Sequence, residues 1–445
     1  MRNLFFFHKF EFKFFNFMKR SILIFLAAFL SLGLSDAKNI IYVSTTGKNS
    51  NPGTKESPMK NIQEAVAKAN PGDMIYVAAG NYQGVLKAGY VEIAKPVEIY
   101  GGWSADFSKR DIIANRTSVI PSVEARGTGG HKCIFDLKPG MPKGTVIIDG
   151  FVFDRAQTNN YHETEGKPEG ILSGMMIPQQ KQIEEPIIGK NIEQDLIVRN
   201  CVMVNSAIFA IQGGVVAPKG SVKILNNVIV ASVYGGIEIW GKSTQGNAQV
   251  EVAYNTILFT WSRTKTLETL GYAVRCRAQT DMNIHDNILG LSVNNGVDMG
   301  HMANFRGAED IRIDNNIFFL NRTADLCLPS GGGKHLNVNV EDFDDVPGVK
   351  SITGNVSLTE SAGLKAVLNK AYLDAFLKVR YSEEADYDPN SGVNQMRSAL
   401  GLNQVGSIRS KVTMFANRYP LEDAVKLFGA VKGKGAQIPN NTIGK

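Results

Sequence analysis

Cysteine, histidine and tryptophan are scarce in this chain of 445 residues, with four, six and three copies respectively. Cys133, Cys201, Cys276 and Cys327 stand far apart, without a Cys-x-x-Cys pair or a Cys/His spacing that would frame a zinc site. They read as single buried thiols; a bridge stays open in an oxidising compartment. Glycine reaches 44 without a G-X-Y period, which excludes collagen. No basic run carries interleaved aromatics, so nucleic acid is not an expected partner.

The N-terminus reads as an address. Met18, Lys19 and Arg20 precede "SILIFLAAFLSLG", and Ser35-Asp36-Ala37 supplies small residues at a cleavage position. That order of basic, apolar and small segments is a secretory signal over residues 1–37, with Met18 as an alternative start. The apolar run is short for a membrane anchor. Residues 1–37 hold five basic and two acidic side chains, so the formal charge of +6 falls to +3 in a mature chain. The expected protein is extracytoplasmic, monomeric and without a membrane span.

What the sequence has in plenty is an internal repeat. "IVRNCVMVNS", "ILNNVIVASV", "VAYNTILFTW", "IHDNILGLSV", "IDNNIFFLNR" and "ITGNVSLTES" align on Asn200, Asn227, Asn255, Asn287, Asn316 and Asn355. "IIDGFVFDRA" has the same shape, with Gly150 at that position. Each unit runs on into a second short strand, "AIFAIQGG", "GGIEIWGK", "GYAVRCRA", "NGVDMGHM" or "ADLCLPSG". Short strands without a helical period, separated by variable insertions, describe coils of a parallel β-solenoid. One coil cannot bury its own apolar face, so it stacks on neighbours about 4.8 Å away. An Asn at one corner of every coil then bonds the Asn above and below, as a ladder.

Residues 40–84, "IIYVSTTGKNSNPGTKESPMKNIQEAVAKANPGDMIYVAAGNYQG", resemble the opening of the pectate-lyase-like superfamily of secreted parallel β-helices, and "VEIYGGWSADFSKRD" resembles its early coils. The fold this implies is all-β, a right-handed parallel β-helix over residues 38–360. Ile62, Ala65, Val66 and Ala69 form one face of a short helix that would plug its N-terminal end. Residues 361–445 form a C-terminal helical cap or tail. There Leu364, Val367, Leu368, Ala371, Ala375 and Phe376 recur at helical spacing. Asp386, Asp388 and Asn390 outline a calcium-like loop, but the glycine comes one place late and Pro389 intrudes.

Function is sought on the outward side chains of the second strand, since alternate residues face in and out. With Ile237, Ile239, Tyr272, Val274, Val297, Met299, Leu326 and Leu328 inward, Glu238, Ala273, Asp298 and Asp325 form one outward row. Trp240, Arg275, Gly300 and Cys327 form the next, and Lys242 and Arg277 begin a third. In the resembling lyases, outer acids hold calcium against a uronate carboxylate while a basic side chain removes the proton alpha to it, giving β-elimination. The register therefore offers Glu238, Asp298 and Asp325 to calcium, Arg275 and Arg277 to the sugar carboxylate, and Lys242 as the easier base. His301 could leave the strand and join Asp298 and Arg306 as an epimerase or lyase acid and base. Trp240 and Trp261 are candidates for sugar stacking. His285 beside Asp286 reads as a turn hydrogen-bonder.

Glu238 and Asp298, two coils or about 9.6 Å apart, also suit an inverting glycoside hydrolase. The expected partner is an acidic polysaccharide. The rival class is a non-catalytic surface protein that uses the same face for adhesion.

Overall fold

The computed structural model describes residues 38–443 except 84–90, 121–132, 155–187, 207–208, 217, 219, 243–244, 261–269, 300–308, 332–333, 347–348, 358–361, 381–386 and 407–417. The expected signal peptide, His301, Arg306 and Trp261 lie outside the described residues. Residues 40–445 form one compact unit. No helix among the described residues is long and apolar enough to cross a membrane.

Three nine-stranded sheets run the length of the molecule, and from the second coil on every third strand in sequence joins the same sheet. The first sheet begins at Ile40–Val43 and ends at Ile311–Asp314, the second runs from Gly80–Gln83 to Val356–Ser357, and the third from Val91–Ile93 to Lys334–Val338. Pairing is parallel throughout, apart from the closing hairpin of Ala324–Gly331 with Lys334–Val338. With the right-handed crossovers that parallel strands prefer, this is the expected parallel β-helix.

Alternation explains the interior. Val222, Ile224, Val250, Val252, Ile284 and Ile313 from the first sheet meet Met203, Ile229 and Ile257 from the second and Ile211, Ile237, Val274 and Val297 from the third. The helix Ile62–Lys68 closes the N-terminal end by burying Ile62, Ala65 and Val66 on this core, as its sequence pattern implies.

The Asn ladder stands at the corner between the first and second sheets. Asn227 donates to Asn255 at 2.9 Å, Asn255 to Asn287 at 3.0 Å, Asn287 to Asn316 at 2.9 Å and Asn316 to Asn355 at 3.1 Å. Each amide also bonds backbone of its own or an adjoining coil, for example Asn255 to the Ile224 carbonyl at 2.8 Å. Asn200 departs from the expected alignment. Val198 pairs with Ile224 and Val202 with Val228, so Cys201 is the residue opposite Asn227, and its N–H donates to the Asn227 side chain at 3.0 Å. Asn200 and Gly150 belong instead to the neighbouring column with Asn226, Tyr254, Asp286, Asn315 and Gly354, all at positive φ. An Asn-Asn pair allows two alignments, and only strand pairing chooses between them.

The C-terminal segment packs along the flank. The outward faces of the second sheet are apolar, and Val204, Val228, Val230, Leu258 and Phe319 pack against Leu364, Leu373, Phe376, Leu377, Tyr419 and Leu427. The single helical stripe expected over this region is broken into Ala362–Val367 and Lys370–Arg380. The Asn369 side chain accepts the Tyr372 N–H at 2.8 Å and starts a new helix, so Tyr372, Leu373 and Leu377 face the sheet while Ala371 is exposed. The Asp388-Asn390 loop is a turn leading into the helix Gly392–Ala399, which Ser391 caps.

Candidate functional site on the outer face of the third sheet

Strand pairing corrects the outward rows. Gln212 pairs with Glu238, Glu238 with Arg275, Arg275 with Asp298 and Asp298 with Cys327, so these residues form one column. Arg275 and Cys327 thus move up a row, and Ala273 and Asp325 leave it. Alternation fixes which side chains face outward, but a slip of two residues between coils preserves that facing and is invisible to it.

Two further expectations change with the register. Ala273 packs into the interior, whereas Tyr272 does not. The Tyr272 ring lies 4.1 Å under the Arg275 guanidinium and stacks on Phe209 at 6.1 Å across the intervening coil. Gly271, at φ 98°, turns the chain into this strand, so its first residues fall out of strict alternation. Gly235 makes room, since a Cβ there would come within 2.7 Å of the Tyr272 ring. Asp325 sits near the C-terminal end, accepting from Asn321 at 3.0 Å and from the Val340 N–H at 3.2 Å. It does not join Glu238 and Asp298.

The column is a buried ion network. Glu238 and Asp298 are 4% and 2% exposed. Arg275 bridges them, with Nη2 donating to Asp298 at 2.7 Å and Nη1 3.7 Å from Glu238. Gln212 donates to Glu238 at 2.5 Å, and Arg277 approaches the same carboxylate at 3.7 Å. Gln212 was missed by sequence reasoning, although it occupies the matching place in "AIFAIQGG". Burial disfavours the charged guanidinium, but Tyr272, Asp298 and Glu238 outweigh it and hold the Arg275 pKa above its ordinary value. Burial, reinforced by the Glu238 carboxylate, pushes the Tyr272 phenol well above its usual range.

Beside this network lies a cationic and aromatic rim. Trp240 and Lys242 fold back over Gly214, where a Cβ would come within 2.6 Å of both side chains. Lys242 Nζ is 5.8 Å and the Arg277 guanidinium 5.9 Å from the Trp240 ring centre. Lys242 is exposed, and the Arg277 side chain is 46% exposed. His285 is elsewhere, the last residue of strand Thr280–His285 on the first sheet, 2.9 Å from Asp286 and 3.5 Å from Glu251.

A calcium ion takes six to eight oxygen ligands. Glu238 and Asp298 flank Arg275, whose guanidinium already contacts both of them, while Asp136 and Glu92 stand further along the same column beside Lys138. No group of three or more His, Cys, Asp or Glu side chains placed to hold a metal occurs among the described residues. Among the described residues, the oxygens near Glu238 and Asp298 are too few for calcium. Cys133, Cys201 and Cys327 are buried free thiols, and burial pushes the Cys201 thiol up to about 12.

Residues 45–106 match a family model described as a protein of unknown function, DUF1565. No curated protein sequence matches the chain. Among solved structures, a pectate lyase is similar over 73% of this chain and 76% of its own, at 15% identity and a TM-score of 0.37. A polygalacturonase from Erwinia carotovora ssp. carotovora is similar over 65% of this chain and 88% of its own, at 10% identity and a TM-score of 0.29. The parallel β-helix expected from the superfamily resemblance is the fold of this protein.

Proposed function

We propose that this protein is an extracytoplasmic β-helix that engages an acidic, uronate-containing polysaccharide along the outer face of the third sheet. The observation that carries this reading is the rim of Trp240 between Lys242 and Arg277. Two cations at an exposed edge attract sugar carboxylates, and the indole between them offers a pyranose a flat apolar face. Arg275 has a different role: it holds Glu238 and Asp298 in place beneath the rim.

Cleavage would proceed by β-elimination: the unprotonated Lys242 amine takes the proton alpha to the carboxylate, the C–O bond at the β carbon breaks as a C=C bond forms in that sugar, and the departing oxygen takes a proton from water. Lysine suits this better than arginine, whose guanidinium does not deprotonate in proteins. One observation favours binding without cleavage: the Glu238 and Asp298 charges are already met within the protein, as on an adhesive face.

Mature chain is to be mixed with polygalacturonate, alginate and glucuronan, reading binding by calorimetry and unsaturated product by ultraviolet absorbance. Lys242→Ala should remove product, and Lys242→Ala and Arg277→Ala should each weaken binding about fivefold, the equivalent of about 1 kcal/mol. Binding without product from mildly acidic to alkaline pH assigns the adhesive function. No binding to any of the polymers defeats both.

A further inference from the structure

A second polar surface lies on the first sheet. Strands Ser221–Leu225, Ala248–Ala253, Thr280–His285 and Ile311–Asp314 are consecutive neighbours there, and their outer face carries a groove of about 290 Å³. Val222, Val250, Met282 and Ile311 point into the core, so the alternate residues face out. Lys223, Glu251, Asn283 and Arg312 fall in one column across the four strands, with Gln249 and Asp281 in the column beside it.

The floor is held in place. Asp281 accepts from Gln249 at 2.8 Å, from Asn247 at 2.8 Å and from the Asp310 N–H at 2.9 Å. Lys223 pairs with Glu251 at 3.2 Å, and Arg312 with Asp310 at 3.3 Å. Between these pairs stands Asn283, half-buried, whose amide makes no hydrogen bond to a described residue. It has two donors and an acceptor to offer.

The lining narrows the ligand. Lys223 and Arg312 face Glu251, Asp281 and Asp310, and Lys350, 2.6 Å from Asp310, balances the third acid, leaving no net charge. A polyanion gains nothing from such a surface, and the acids are too engaged with N–H donors to serve a cation. No aromatic side chain among the described residues lines the groove. Donors and acceptors alternate along it, which matches hydroxyl groups that both donate and accept. The volume is at the lower end for small-ligand sites, about 300 Å³.

We propose that this groove binds a neutral oligosaccharide segment through its hydroxyls, with Asn283 and Arg312 as central contacts. The site is independent of the acidic-glycan reading, because it stands on another sheet and selects a different charge.

The full mature chain is to be titrated calorimetrically with cellohexaose, xylohexaose and maltohexaose, and with an oligogalacturonate for comparison. At least one neutral probe should bind, and Asn283→Ala and Arg312→Ala should each weaken it about fivefold or more, the effect of one lost hydrogen bond. Both variants should unfold thermally like the parent, and Lys242→Ala should leave neutral-sugar binding unchanged. The proposal is overturned if no neutral probe binds, if both groove variants bind like the parent, or if Lys242→Ala removes the binding.

Discussion

A single ladder asparagine shows how much one side chain carries in this protein. Asn255 is fully buried, accepts from the Asn227 amide and backbone N–H, and donates to Asn287 and to the Ile224 carbonyl. Asn255→Ala strips partners from several buried groups at once and should cost about 1 to 3 kcal/mol in chemical denaturation. A cost near zero would mean that water replaces the lost partners. Asp325 behaves in the opposite sense, since burial pushes its carboxyl above the ordinary range despite the Asn321 and Val340 donors. The folded state therefore holds the proton to higher pH than the unfolded chain. This favours the fold below the ordinary carboxylate value of about 4, and the advantage is lost as pH rises through the raised one. Asp325→Asn keeps an acceptor without the charge. It should raise the melting temperature at pH 7 and leave it unchanged at pH 3.

Among the elements, the C-terminal segment is the one whose placement matters most. It follows the corner column of the β-helix: the Gly435 N–H donates to the Asp286 carbonyl at 2.7 Å, the Gln437 N–H to Asn226 at 2.6 Å and the Ala436 N–H to Thr256 at 2.9 Å. Lys434 is anchored on the Asp286 carboxylate at 2.8 Å. Burial raises the Asp286 pKa, but Lys434 and His285 together bring it below its ordinary value. That stabilisation is present above the ordinary carboxylate range and lost as pH falls through the depressed value. Lys434→Ala should cost about 1 kcal/mol at neutral pH. The difference from the parent should shrink in acid-denaturation series below about pH 4.

For the whole molecule, the second sheet cannot be left uncovered. Its outward Val204, Val228, Val230, Leu258 and Phe319 would form a continuous apolar strip, and such strips drive association. A chain ending at residue 360 should bind hydrophobic dyes and elute as aggregates in size-exclusion chromatography, whereas the chain through 445 should elute as one species. A well-behaved monomer from the shorter chain would show that the helices are dispensable. The outward residues of the other two sheets include charged pairs, Lys223 with Glu251 on the first and Arg275 with Glu238 and Asp298 on the third. Those sheets are the faces on which the two proposed binding surfaces stand.

Sequence alone determined the fold class, because each coil repeats the same inward apolar pattern and the same corner asparagine, and stacking is the arrangement that satisfies both. It also determined that Glu238, Arg275 and Asp298 face outward, since alternation is a local property. The choice between Asn200 and Cys201 as the residue opposite Asn227, and between Ala273 and Arg275 as the neighbour of Glu238, belonged to the tertiary structure. Slips of one residue within an Asn-Asn pair, or of two along a strand, leave the local pattern intact and change only which side chains meet across coils. The acidic row therefore became an ion network built around Arg275. Contact between coils about 30 residues apart is decided by the packing of whole strands, and no short stretch of sequence contains it.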